Sequence, residues 1–251
     1  MQAFEPKLTA ALAGRWPDRL PAVLGWDEER AWLLVADAGT PVMAFGDHLD
    51  AWSTALPLYA ELQRGEAAYV DEHTAGDVPD RRLATLPRSY AGLLERDLPL
   101  EPDEVARLRG FEPRFAELCA ELAAAPVPET IQHDDLHAAN VWARDGRLAF
   151  LDWGDACVSH PFASLVVTFR LLEEHCGVPA GDPWVERLRD AYLEPWGEPA
   201  ALRGLFDLGF RVGTFARVFG GLRQHDAMAH DHRERFRVWL GRILRFAPAR
   251  L

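Results

Sequence analysis

Two apolar rhythms divide the chain, and their alternation predicts its elements. Leu8, Ala11 and Leu12 share one helical face over residues 7–13, and Gly14 suits the end of that helix. Trp16-Pro17-Asp18 and Pro21 read as a turn. Ala22–Trp26 and Ala31–Val35 then form short apolar runs on either side of the polar Asp27-Glu28-Glu29-Arg30, a hairpin pattern. Residues 36–41, with Gly39 and Pro41, break it like a hinge. Trp52, Leu56, Tyr59 and Leu62 restore the helical period over about residues 48–63. Gly76, Pro79 and several acids make most of 66–81 read as loop. A helix follows over 83–97 with Pro87 near its boundary; Pro102 opens another, and Pro113 is expected to restart it. Phe115, Leu118, Cys119 and Leu122 mark its core face, and Pro126 and Pro128 end it.

The second half repeats the alternation. Val141–Ala143 and Leu148–Leu151 flank Arg144-Asp145-Gly146-Arg147, a hairpin with an Asp-Gly turn. Pro161 suits the first turn of a helix whose core face is Phe162, Leu165, Val166 and Phe169; further helices are predicted over 183–194, 199–223 and 230–246. There is no internal repeat. The fold class is α+β, mainly helical, with small hairpins.

Chemistry concentrates between these halves, in Gln132-His133-Asp134-Asp135-Leu136-His137-Ala138-Ala139-Asn140 and in Leu151-Asp152-Trp153-Gly154-Asp155. Four residues separate Asp135 from Asn140, and Asp152 lies twelve beyond Asn140, across the hairpin. A hairpin brings its ends together, so Asp152 can face Asn140. One carboxylate could then accept a proton from an attacking hydroxyl, while an amide oxygen and a second carboxylate hold magnesium, a hard cation that prefers oxygen.

These residues resemble the aminoglycoside phosphotransferase and small-molecule kinase family, where the usual form is H-G-D-x-x-x-x-N followed by I-D-W or I-D-F. The resemblance runs from about Phe4 to the late helices, with only the central motifs specific. It implies a protein-kinase-like fold: a partial small lobe and hinge over 1–40, then a helical lobe over 41–251 with its catalytic loop at 131–155. It also implies ATP and Mg as cofactors, Asp135 as catalytic base, His133 as a brace of the loop, and Asn140 and Asp152 as magnesium ligands. His137 and Asp155 would support them. Asp134 stands where glycine is typical.

A plainer reading stands beside each role. His133 and His137 could be hydrogen-bonded core histidines, Asp134 and Asp155 could cap turns, and Trp153 reads as packing rather than as a stacking surface. Neither G-x-G-x-x-G nor G-x-x-x-x-G-K-[ST] occurs. Lys7, the only lysine, falls in the first helix. Within the resemblance, Glu5 would be the helix glutamate that pairs with an absent strand lysine, so the chain is expected to begin midway through the small lobe. A start assigned too late, a truncated inactive product, or a minimal lobe that binds nucleotide weakly or binds something else would each account for this. The missing strands would leave an apolar sheet face uncovered.

Charge narrows the partners. A net charge of −12 over 251 residues argues against a nucleic-acid surface and against anionic lipid. It suits a cationic acceptor, and Asp71, Glu72, Asp77, Asp80, Glu95, Asp97, Glu101, Asp103 and Glu104 could attract one, although a solvated helical surface is the plainer reading. Cys119, Cys157 and Cys176 form no C-x-x-C. No apolar run approaches the roughly 18–20 residues of a membrane span, and no leader pattern opens the chain. A reduced, cytoplasmic protein is expected.

The sequence therefore points to ATP-dependent phosphoryl transfer to a small-molecule hydroxyl, an aminoglycoside among the candidates. A non-catalytic kinase-like remnant or binding protein is the alternative from another class. A third is a metal-dependent hydrolase using His133 and His137, or His225, Asp226, His230, Asp231 and His232. The glutamate of H-E-x-x-H is missing from it.

Overall fold

The structure, a computed structural model, describes residues 2–45, 48–227 and 231–247. Helix α1 (Glu5–Arg15) precedes an antiparallel hairpin of β1 (Val23–Asp27) and β2 (Trp32–Val35). The hairpin presents Leu24, Trp26, Trp32 and Leu34 as exposed apolar side chains. A short strand, β3 (Thr40–Pro41), leads into α2 (Leu49–Glu66). Then come α3 (Val70–Ala75), α4 (Leu86–Leu94) and α5 (Pro102–Ala123). Strand β4 (Thr130–Gln132) precedes the hairpin of β5 (Val141–Arg144) and β6 (Arg147–Phe150), and β7 (Cys157–Ser159) follows it. The chain closes with α6 (Val166–Cys176), α7 (Pro183–Leu193), α8 (Pro199–Ala227) and α9 (Asp231–Leu244).

Three small sheets hang on this helical body, ordered β1-β2, β3-β5-β6 and β4-β7. Asp145 and Gly146 both have positive φ (49° and 77°), the left-handed pair that a two-residue hairpin turn requires. Gly39 (φ 94°) lets the segment before β3 press on β5, because a Cβ there would run into the Ala143 carbonyl.

Two apolar cores form. One joins Leu8 and Leu12 of α1 to Leu56 and Tyr59 of α2, to Phe150, Trp153 and Phe162, and to Leu188 and Tyr192 of α7. The other joins Leu86 and Tyr90 of α4 and Phe111 and Phe115 of α5 to Phe215 of α8 and Leu240 of α9. Both predicted hairpins are present and each predicted helix has a counterpart, although the one expected from Pro161 is split into a 3-10 turn, Pro161–Ala163, and α6. Phe115, Leu118, Cys119 and Leu122 are buried as their spacing requires, and the three cysteines are free thiols.

Two expectations change. Residues 70–75 are helical (α3), with His73 buried against Glu66 at 2.8 Å. Helix α5 runs through Pro113 without a break. A mid-helix proline costs about 3 kcal/mol. Leu108 and Phe111 before it and Phe115 after it are buried on the same core face, and each such side chain returns about 1.5–3 kcal/mol. Among the described residues, no helix is long and apolar enough to cross a membrane.

Candidate active site

The three-residue strands β4 and β7 pair antiparallel, Thr130 with Ser159 and Gln132 with Cys157. The catalytic-loop segment leaves this ladder at His133, and the segment carrying Asp152 and Asp155 enters it at Cys157. Neither strand has a length or an alternation that the sequence would reveal. The ladder is anchored from α2: the Thr130 hydroxyl donates to the Gln63 carbonyl at 2.5 Å, and the Gln63 amide donates to the Ile131 carbonyl at 3.0 Å.

His133 is fully buried. Its N–H donates to the Tyr59 hydroxyl at 2.9 Å, and its Nε2–H donates to the Leu151 carbonyl at 2.7 Å. Its ring packs on Trp153, centroids 4.8 Å apart. Burial holds the imidazole below its usual range and hence neutral. Leu151 also donates its N–H to the Asn140 carbonyl at 2.9 Å. One residue at the base of the β5–β6 hairpin thus ties both ends of the loop to the segment that carries Asp152. These bonds hold His133 between Tyr59 and Leu151. Trp153, wholly buried and donating to the Phe150 carbonyl at 3.1 Å, is packing.

Asp135 is half-buried. Arg217 of α8 approaches its Oδ1 at 3.4 Å, and His137 Nε2 lies 3.4 Å from its Oδ2. The Ala139 N–H donates to His137 Nδ1 at 3.2 Å, which places the ring proton on Nε2, facing the carboxylate. Burial pushes the Asp135 carboxyl up. The His137 hydrogen bond and the Arg217 charge outweigh it, leaving the group below the ordinary aspartate range. Asn140 donates its amide N–H to the Asp135 carbonyl at 3.0 Å, so its Oδ1 is turned to the other side. Asp152 is exposed and sits at φ 64°, ψ 64°.

Beside Asp152, α1 contributes Glu5, only 5% exposed. Burial, and then the Asp152 charge, raise its carboxyl to about 6. Gly154 permits the approach, since a Cβ there would stand 2.9 Å from Glu5 Oε2. No ion pair to Glu5 occurs among the described residues. Asn140 Oδ1 and the exposed Asp152 carboxylate are hard oxygen donors, and buried Glu5 adds negative charge beside Asp152. That donor set fits a magnesium ion. Among the described residues, no group of three or more His, Cys, Asp and Glu side chains is placed to hold a metal. The hydrolase reading also loses His133, whose Nε2 is committed to a carbonyl. His230 lies outside the described residues, and the side chains of His225, Asp226, Asp231 and His232 are outside them as well.

The sequence missed two arginines. Asp134, where glycine is typical, takes the left-handed φ of 60° that explains the glycine preference, and aspartate tolerates it. Its buried carboxylate accepts from Arg81 at 2.6 Å and from Arg217 at 3.4 Å. Arg217 reaches Asp155 as well, at 3.6 Å. Arg81 is delivered by the edge of β7, where its N–H donates to the Val158 carbonyl at 2.8 Å. Gly220, one turn beyond Arg217, leaves room for this cluster; an added Cβ would stand 3.1 Å from Arg81 Nη2. The one signal was Asp134 itself, a charge at a buried turn that demands a partner. By contrast, several of the acids singled out as a possible lure for cations are occupied locally. Asp80 pairs with Arg82 at 2.7 Å, Glu72 with Arg15 at 3.1 Å, and Glu101 and Glu104 form the capping box of α5.

Known structures share this architecture. A choline/ethanolamine kinase family protein from Mesorhizobium loti superposes with a TM-score of 0.60 at 19% identity, over 96% of this chain and 78% of its own. The macrolide 2'-phosphotransferase MphH from Brachybacterium faecium gives 0.57 at 18% identity, over 95% and 78%. A Plasmodium vivax ethanolamine kinase gives 0.58 at 14%, over 98% and 73%. At such identities the likeness shows the fold alone, which is protein-kinase-like. No curated protein sequence matches the chain. The family model of the phosphotransferase enzymes (APH), however, aligns with residues 20–205, which span the first hairpin, the β4–β7 ladder and both motifs. By that match across most of its length, the chain belongs to the phosphotransferase enzyme family.

Proposed function

We propose that the protein transfers the γ-phosphoryl group of ATP, with magnesium, to a hydroxyl of a small molecule. One observation carries the reading: the Asn140 amide donates to the Asp135 carbonyl at 3.0 Å, which fixes the loop and turns Oδ1 away. Asp135 accepts the proton of the acceptor hydroxyl as its oxygen bonds to the γ-phosphorus and the bond to ADP breaks. Asn140 Oδ1 and Asp152 would hold magnesium, which would supply positive charge against the phosphates. His133 is a positioning residue that locks Leu151. Arg217 and His137 orient the Asp135 carboxylate.

The fold neighbours bear the names of choline, ethanolamine and macrolide phosphotransferases, and an aminoglycoside 2'-phosphotransferase is also among them. The test is therefore magnesium-dependent ATP turnover against a panel of amino alcohols, macrolides and aminoglycosides. The expected result is acceptor-dependent ADP release that Asp135→Ala abolishes. A magnesium-ATP melting shift without turnover on any acceptor would leave a nucleotide-binding protein. Absence of both would overturn the reading.

A further inference from the structure

Helices α6, α7 and α8 and the end of α9 line a cavity of about 400 Å³, within the usual range for small-molecule sites. None of His133, Asp135, Asn140 and Asp152 lines it. Its apolar wall is an aromatic cluster: Phe169 lies 6.2 Å from Phe206 and 6.0 Å from Phe210, centroid to centroid. Four arginines also line it: Arg170, Arg189, Arg242 and Arg245.

The lining itself sets four guanidiniums against two carboxylates, Glu173 and Asp207. Glu174 is shared by two guanidiniums, accepting from Arg170 at 2.6 Å and from Arg242 at 3.1 Å. Asp190 is divided between Arg189 and Arg203. Glu173 and Asp207 remain at the lining, and Arg245 has no ion pair among the described residues. Buried Nε atoms of both Arg170 and Arg242 have no hydrogen-bond partner. Burial, together with the neighbouring Arg170 and Arg245, pushes Arg242 below the ordinary guanidinium range, the mark of crowded like charge. An excess of arginine around an aromatic cavity stands out in a chain whose net charge is −12.

We propose that this cavity is a binding site for an amphiphilic carboxylate. Its apolar body lies on Phe169, Phe206 and Phe210, and its head is held by Arg242 and Arg245. The carboxylate accepts from guanidinium N–H groups at the lining, and the apolar body displaces water from the rings. The proposal is independent of the phosphotransfer reading, because it predicts binding to the resting protein.

Isothermal titration calorimetry with three matched probes tests it: octanoate, neutral octanamide and cationic octylammonium. Octanoate should bind at one saturable site, roughly tenfold or more tighter than octanamide. Arg245→Glu, at an exposed position, should weaken octanoate by a similar factor. Ala180→Trp, which fills the cavity from an exposed loop position on its lining, should abolish binding. Circular dichroism melts of both variants confirm that they fold. Equal affinity for octanamide, tighter binding of octylammonium, octanoate affinity unchanged in both variants, or no saturable heat would overturn it.

Discussion

Asp135 and Asp152 flank the same two-stranded ladder, yet the protein treats them in opposite ways. Asp135 is surrounded by protein cations and donors: Arg217 at 3.4 Å, His137 at 3.4 Å, and behind it Asp134 with Arg81 at 2.6 Å. Asp152 is exposed, and the nearest ionisable neighbour contributed by α1 is another carboxyl, Glu5. The base side carries its own counter-charge. The other side gathers negative charge and supplies none. A carboxylate that must take a proton reversibly benefits from a fixed setting; one that meets a divalent cation benefits from being left anionic and accessible. The proposed roles, base for Asp135 and magnesium ligand for Asp152, would draw on this difference.

The comparison breaks most sharply at Asp135. Asp135→Ala should lower turnover by roughly a hundred- to ten-thousand-fold, the usual worth of a positioned general base, with nearly unchanged melting. Steady-state kinetics beside a thermal melt check it; an equal loss in stability would make Asp135 structural. Asp134 should behave in reverse. Asp134→Asn keeps the shape and tolerates the left-handed φ but strands Arg81 in the interior. Removing one partner of a buried pair costs about 3–5 kcal/mol. Urea unfolding should show that loss directly.

This pair of outcomes also marks how far the sequence could be read. The motif that carries His133, Asp135, Asn140 and Asp152 was legible because its register is local: a loop, an Asp-Gly hairpin, and a second loop. Arg81 and Arg217 were not, because they reach Asp134 across 53 and 83 residues. An arginine in an amphipathic helix looks the same in sequence whether it faces water or a carboxylate. The hairpins and long helices were legible from period alone. Strands β4 and β7 were not, since three residues carry no period and their partners are set by tertiary contact. Pro113 misled for a related reason: a local breaker was overridden by the buried face on either side of it.

On the opposite flank, Asp152→Ala should remove a response rather than a structure. At a hundredfold excess of magnesium-ATP over its dissociation constant, binding to the folded state alone adds about 2.7 kcal/mol. That increment should be seen in the wild type and be lost in Asp152→Ala, whose ligand-free melt should not fall. A retained increment would place the metal elsewhere.

Glu5 offers the smallest effect and the cleanest sign. Its carboxyl rises from 4.5 to about 6 in the folded chain, through burial first and the Asp152 charge second. Between those two values the folded state holds more protons than the unfolded one, so stability falls as pH rises through the window. Below about 4.5 both states are protonated and nothing is lost; above about 6 the full penalty persists, about 2 kcal/mol for a shift of this size. Glu5→Gln removes the ionisation and keeps the shape. It should be more stable than the wild type at pH 8 by up to that amount, and equal to it at pH 4. The Glu5→Gln, Asp152→Asn double variant should gain less than the sum of the two single changes, because part of the Glu5 penalty is repulsion from Asp152. Strict additivity across that cycle would show that burial alone raises the group, and that the two carboxyls on this flank do not share the charge a cation would neutralise.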